Sequence, residues 1–280
     1  VEAPIGPVVS DVSAIGSDVW AVVGTCFIGA AEPAGSCPVI LEVSLDDGAT
    51  WAASGSPPPL TESSALSISD QDVELARMTI EHAYVLSFVP NATGAGPPSG
   101  ELVFTSDGGQ TWSPRSDPCP SRFDFGEQIA GSGTQDLWLI CASQASGGTQ
   151  AKALYRSTDE GLAWTLTAAA NAPVLSGNVV LPAGGGLPAG GYVAPYSLGH
   201  EDFAVLSPTT AWLFPDRTGV FETSSGGLSW KPVDALANAG FAWGGAGNIV
   251  FVNATHGWVC EAGVGLWRTS NGVSWQRLGQ

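Results

Sequence analysis

Short apolar runs, each fenced by Gly, Pro, Asp or Ser, recur along the whole chain. SDVWAVV, EHAYVLSFV, QDLWLICA, TTAWLFP and THGWVCEA each carry one aromatic, at Trp20, Tyr84, Trp138, Trp212 and Trp258. Runs this short, with turn residues just before them, predict β-strands. A further apolar run lies upstream, for example Asp11 to Ile15, Phe203 to Leu206 and Ile249 to Val252. Downstream of each aromatic run comes a segment that closes on Trp. Each unit therefore reads as four strands, and five units of about 56 residues account for the chain. An all-β architecture follows.

The closing segments repeat in detail. SLDDGATW (Ser44 to Trp51), TSDGGQTW (Thr105 to Trp112) and STDEGLAW (Ser157 to Trp164) place a hydroxyl, an Asp, a Gly and a Trp at fixed offsets. TSSGGLSW (Thr223 to Trp230) has Ser225 at the Asp position, and TSNGVSW (Thr269 to Trp275) is one residue shorter with Asn271 there. Each reads as a tight hairpin: the Asp or Asn accepts from backbone N–H groups, Gly supplies positive φ, and Trp opens the next strand with a large buried surface. Asp46, Gly48, Trp51, Asp107, Gly109, Trp112, Asp159, Gly161, Trp164, Gly227, Trp230, Asn271 and Trp275 are thus expected to be structural.

This S-x-D-x-G-x-T-W pattern resembles the Asp-box, or BNR repeat, of sialidases, some xyloglucan-degrading glycosidases and sortilin-like receptors. The fuller unit, THGWVCEAGVGLWRTSNGVSW, is similar to propellers of the photosystem II stability and assembly factor type. The resemblance implies a single β-propeller, and the repeats give it five four-stranded blades, at about 9–54, 70–116, 122–168, 201–233 and 246–280, with 171–200 as a long connection. A degenerate sixth blade inside 171–200 is the alternative. The motif is specific for fold and poor in function. Sialidase chemistry would need an arginine cluster, an Arg-Ile-Pro type segment and a Tyr/Glu nucleophile pair, and none is recognisable.

Extra length is unevenly placed. From each aromatic to its box Trp the spacing falls from 31 residues (Trp20 to Trp51) to 17 (Trp258 to Trp275). The long blade connections are Ala52 to Asp70 and Thr165 to Glu201. Because hairpins alternate between the ends of an antiparallel blade, all of this length is expected opposite the box turns. Elaborated loops on a rigid scaffold commonly carry function, so that face is the expected binding surface.

The entrances to the inner strands read SDQDVE, RFDFGE and GHED. They make Asp72, Asp124, Glu201 and Asp202 the candidate catalytic carboxylates, since glycosidic cleavage uses one carboxyl as acid and another as base or nucleophile. The same group suits Ca²⁺ at a channel mouth, and solvated turn residues are the plain alternative. Asp70, Arg122, Phe123, Tyr192, Tyr196 and Trp243 are the expected binding residues, the aromatics as stacking platforms or anchors. PAGGGLPAGGY (Pro182 to Tyr192) lacks the context of a phosphate loop and reads as a flexible lid or spacer.

Composition adds limits. The chain has 37 Gly and 20 Pro, against long helices, and a net charge of −17, against nucleic acid and anionic lipid. No apolar stretch is long enough for a membrane span, and a soluble, monomeric chain with any leader removed is expected. The five cysteines predict the disulfides Cys26–Cys37 and Cys119–Cys141, with Cys260 left as a buried small hydrophobe; five reduced core cysteines in a cytosolic protein are the alternative. The expected function is an exported, non-catalytic propeller binding a protein or glycan. The alternatives are a carbohydrate-active hydrolase or lyase, and an assembly or scaffold factor.

Overall fold

The computed structural model describes residues 8–24, 39–55, 58–60, 72–89, 99–120, 123, 125–144, 150–171, 186–193, 203–215, 218–241, 247–261 and 263–279. The fold is that of a β-propeller with five four-stranded antiparallel blades, each strand bonded to the next in sequence. The chain divides into two compact units, Val1–Asp117 and Pro118–Gln280.

The first unit holds two blades. One is built from β1 (Val8–Ile15), β2 (Asp18–Gly24), β3 (Val39–Ser44) and β4 (Ala52–Ala53), the other from β5 (Asp72–Arg77), β6 (Ala83–Val89), β7 (Ser99–Thr105) and β8 (Ser113–Arg115). Their shared core packs Trp20, Val22 and Leu41 against Leu75, Val85 and Val103. Arg77, its side chain fully buried, staples the blades together. It sits 4.2 Å over the Trp20 ring, pairs with Asp18 at 3.3 Å and donates to the Asp18 carbonyl at 2.9 Å. Burial lowers its pKa, and Asp18 opposes that shift.

The second unit holds three blades. They are β9 (Gly126–Ser132), β10 (Asp136–Ala142), β11 (Lys152–Ser157) and β12 (Thr165–Ala170); β13 (Phe203–Val205), β14 (Ala211–Leu213), β15 (Phe221–Thr223) and β16 (Lys231–Pro232); and β17 (Gly247–Asn253), β18 (His256–Glu261), β19 (Gly265–Thr269) and β20 (Trp275–Leu278). One core joins Trp138, Leu154 and Ala168 to Phe203, Ala211 and Leu213. Another joins Trp212, Phe214 and Val220 to Ile249, Val259 and Trp267.

The box turns explain the repeat. In the second blade the Thr105 hydroxyl donates to Asp107 at 2.8 Å and accepts from the Gly109 N–H at 3.0 Å, while Asp107 accepts from the Thr111 N–H at 2.9 Å and its hydroxyl at 2.6 Å. Asp46 with Ser44 and Thr50 repeats this, and Asp159 with Ser157 and Ala163 keeps most of it. Ser225 accepts from the Ser229 N–H at 3.0 Å, and Asn271 accepts from the Ser274 N–H at 2.8 Å. A short polar acceptor is thus what the position requires, and the charge is optional.

Every box turn is also tied to the first hairpin of its own blade. The N–H groups of Asp47, Gly108, Glu160, Gly226 and Gly272 donate to the carbonyls of Ser17, Glu81, Gln135, Thr209 and Thr255. Within each blade, box turn and first hairpin therefore share one end. The second hairpin and the outgoing connection lie at the other.

The box tryptophans do not all bury, contrary to the sequence expectation. Trp112, Trp230 and Trp275 pack on the core shared with the preceding blade of their unit. Trp51 belongs to the blade that opens the first unit and stays 42% exposed, its indole N–H donating to the Gly48 carbonyl at 2.9 Å. Trp164 opens the second unit and is half-buried.

Candidate functional site

The elaborated end of the third blade is the best-built polar site among the described residues. Lys152 takes the first position of β11, in register between Ala142 on β10 and Ala170 on β12. It is completely buried, and Nζ donates to three backbone carbonyls: Pro188 at 3.3 Å, Gly190 at 3.1 Å and Gly191 at 2.8 Å. An ammonium has three protons, so the three acceptors match its donors. Burial pushes its pKa down to about 8, and at neutral pH the amine keeps its proton.

Two amides complete the clamp. Gln150, 1% exposed, accepts from the Val193 N–H at 2.8 Å through Oε1. The Asn171 side chain donates to the Gln150 carbonyl at 3.3 Å and to the Ala189 carbonyl. Leu187 and Val193 drive the same segment into the core of Trp138, Leu154 and Phe203. A Cβ at Gly190 would lie 2.7 Å from Thr218 Cγ2, so any larger residue requires that methyl to shift. Residues 186–193 thus form a strap, and the free spacer expected from the glycines is corrected. Glycine here permits close backbone approach, and the carbonyls so exposed find a buried cation.

The same end carries a covalent tie. Cys119 is bonded to Cys141 in β10, next to Ala142, whose carbonyl accepts from the Phe125 N–H at 3.1 Å. Phe123 is 1% exposed, so it packs inside and offers no open platform. Tyr192, on the strap, is half-buried and retains an accessible portion.

The other expected residues divide as follows. Asp70, Arg122, Asp124, Tyr196, Glu201, Asp202 and Trp243 lie outside the described residues, as do Cys26 and Cys37. Asp72 is placed only as backbone, pairing with Phe88 on β6. The expected carboxylate cluster, and the Ca²⁺ site that would use it, therefore rest on residues beyond the description. Cys260 was expected in the core; it is exposed on β18 as a free thiol, because its neighbour Val259 takes the inward position. Lys152, Gln150 and Asn171 were not anticipated. The one signal was that the chain has few cations, with Lys plus Arg totalling 9, so a lysine inside a strand carried information.

Among the described residues no helix is long and apolar enough to cross a membrane. No protein-family model and no curated protein matches the chain. Solved structures do match it. A GH74 enzyme of Niastella koreensis aligns at 16% identity and TM-score 0.53, over 99% of this chain and 38% of that one. A Trypanosoma rangeli sialidase in complex with sialic acid aligns at 15% identity and TM-score 0.55, over 95% of this chain and 46% of that one. The alpha-L-arabinanase of Penicillium chrysogenum, complexed with arabinobiose, aligns at 11% identity and TM-score 0.55, over 100% and 87%. The chain thus spans less than half the length of the first two, and at these identities the likeness is one of fold.

Proposed function

We propose that the chain is a non-catalytic binding propeller that holds a glycan or an extended protein segment at the strap end of its third and fourth blades. The observation that carries this reading is the clamp: Lys152, Gln150 and Asn171 fix an eight-residue strap in one shape. A loop set before its ligand arrives avoids the ordering cost of binding. Tyr192, with an amphipathic ring half open to solvent, would supply the contact area. The fold likeness to a sialidase and an arabinanase supports a saccharide as one ligand class. The Cys119–Cys141 bond supports an oxidising compartment.

The test combines a glycan array, a peptide array and a polysaccharide hydrolysis screen on the wild type and Tyr192→Ala. Retention of a ligand without product, weakened at least tenfold by Y192A in a protein of unchanged melting behaviour, is expected. Release of reducing ends would overturn the non-catalytic reading in favour of hydrolysis. Equal retention by Y192A would remove the strap as the site.

A further inference from the structure

The fifth box turn is one residue shorter than the others, and this has a chemical consequence. In the second blade two successive glycines share the work: the Gly108 N–H donates to the Glu81 carbonyl in the first hairpin, and the Gly109 N–H donates to the Thr105 hydroxyl. In the fifth blade a single glycine does both. The Gly272 N–H donates to the Thr255 carbonyl at 3.0 Å and to the Thr269 hydroxyl at 2.9 Å. Its φ is +72°, and a Cβ there would collide with the Ala254 carbonyl. Position 272 must therefore be Gly. The residue before it is Asn271, exposed, and this is the one Asn-Gly pair in the chain.

An asparagine followed by glycine has an intrinsic reaction, because no side chain shields the next backbone nitrogen. The Gly272 nitrogen can attack Asn271 Cγ. The N–Cγ bond forms, the Cγ–Nδ2 bond breaks, and ammonia leaves with the proton from nitrogen. Water then opens the succinimide to Asp or isoAsp.

In the folded turn both reacting groups are occupied. The nitrogen's proton is held by two acceptors. The electrophile is held in bonds of its own, with Asn271 Oδ1 accepting from Val273 N at 3.0 Å and Ser274 N at 2.8 Å, and Nδ2 donating to Ser274 Oγ at 2.9 Å. Bringing Cγ onto the nitrogen requires these bonds to break. We infer that Asn271 is a conditional modification site, closed to deamidation in the native turn and opened when the fifth box unlocks. The Asp product would be the acid that the first three boxes already carry. The isoAsp product would lengthen the backbone by one carbon and would not fit the turn.

Trypsin releases Thr269–Arg277 as one peptide, and its mass rises by about one dalton on reaction. Protein held at neutral pH and 37 °C, native and in concentrated urea, gives the two rates. We expect the native rate to be at least tenfold lower, and Thr269→Val, which removes one acceptor of the Gly272 N–H, to raise it toward the urea value. Equal native and denatured rates in the wild type would overturn the proposal, whether or not T269V folds. A folded T269V that reacts as slowly as the wild type would overturn it as well.

Discussion

Gly227, at the corner of the fourth box turn, lies against Trp138 of the third blade so closely that a Cβ would come within 3.0 Å of Trp138 Cζ3 and 2.6 Å of Leu154 Cδ2. Gly109 meets Leu41 and Trp20 of the first blade in the same way, with Leu41 Cδ2 at 3.0 Å. The box glycine therefore serves twice, giving φ near +82° to +86° and letting the turn dock on the preceding blade's aromatic. Within the first unit Gly48 separates the two roles, since its φ is +83° yet among the described residues its Cβ would meet only its own Trp51. Gly48→Ala should cost about 1–2 kcal/mol for left-handed backbone alone. Gly227→Ala adds overpacking and should cost roughly 3 kcal/mol or more. Urea unfolding of both variants measures the gap; equal losses would refute the docking role.

The box aspartates make stability acid-sensitive. Hydrogen bonds from Thr50 and Thr111, first from the hydroxyl and then from the backbone, hold Asp46 and Asp107 at about 2, below the usual 3.8. A carboxyl whose folded pKa is depressed contributes stability that is complete above pH 3.8 and is lost as pH falls toward 2. Asp107→Asn keeps the acceptor, as Asn271 does naturally, but cannot titrate. The wild type should therefore lead this variant most at neutral pH, with the lead shrinking across that acid window. Thermal melts of the pair over the acid range decide it, and a lead independent of pH would sink the assignment.

Cys119–Cys141 closes a loop with a sequence separation of 22. In the chain-entropy model this stabilises by about 3 kcal/mol. Replacing both cysteines by alanine should lower urea stability by about that much, and the loss should fall on the second unit, read by exchange protection of β10. Cys260, exposed, should label with a maleimide in the native protein without affecting that protection.

The repeat was legible because every blade needs the same corner. The hydroxyl, the acid and the glycine at Thr105, Asp107 and Gly109 all bond within a few residues, and such local requirements leave a spaced pattern in sequence. The strap was not legible for the opposite reason. Lys152 meets carbonyls 36 to 39 residues away, and any residue supplies a carbonyl, so the partners carry no sequence signature. Trp51 misled because the box motif fixes its indole bond to Gly48, a bond that leaves the ring 42% exposed.

Lys152→Met should separate the strap's fixation from the stability of the blades. Burying the ammonium is unfavourable: a folded pKa of about 8 against 10.5 corresponds to roughly 3 kcal/mol at neutral pH, and Met removes that cost. It also strips the donor from three carbonyls, at about 1–3 kcal/mol for each that stays dry. The two effects oppose, so global stability should change by less than about 2 kcal/mol if the strap lifts and its carbonyls reach water. The local effect is unopposed, and the strap amides from Ala189 to Tyr192 should lose hydrogen-exchange protection while β10 and β11 keep theirs. The pH dependence follows from the lowered pKa. Between pH 8 and 10.5 the unfolded chain binds the proton more than the folded one, so the wild type gains on K152M as pH rises through that window. Unchanged protection of the strap in K152M, or a wild type that loses ground with rising pH, would show that the ammonium is not what pins it.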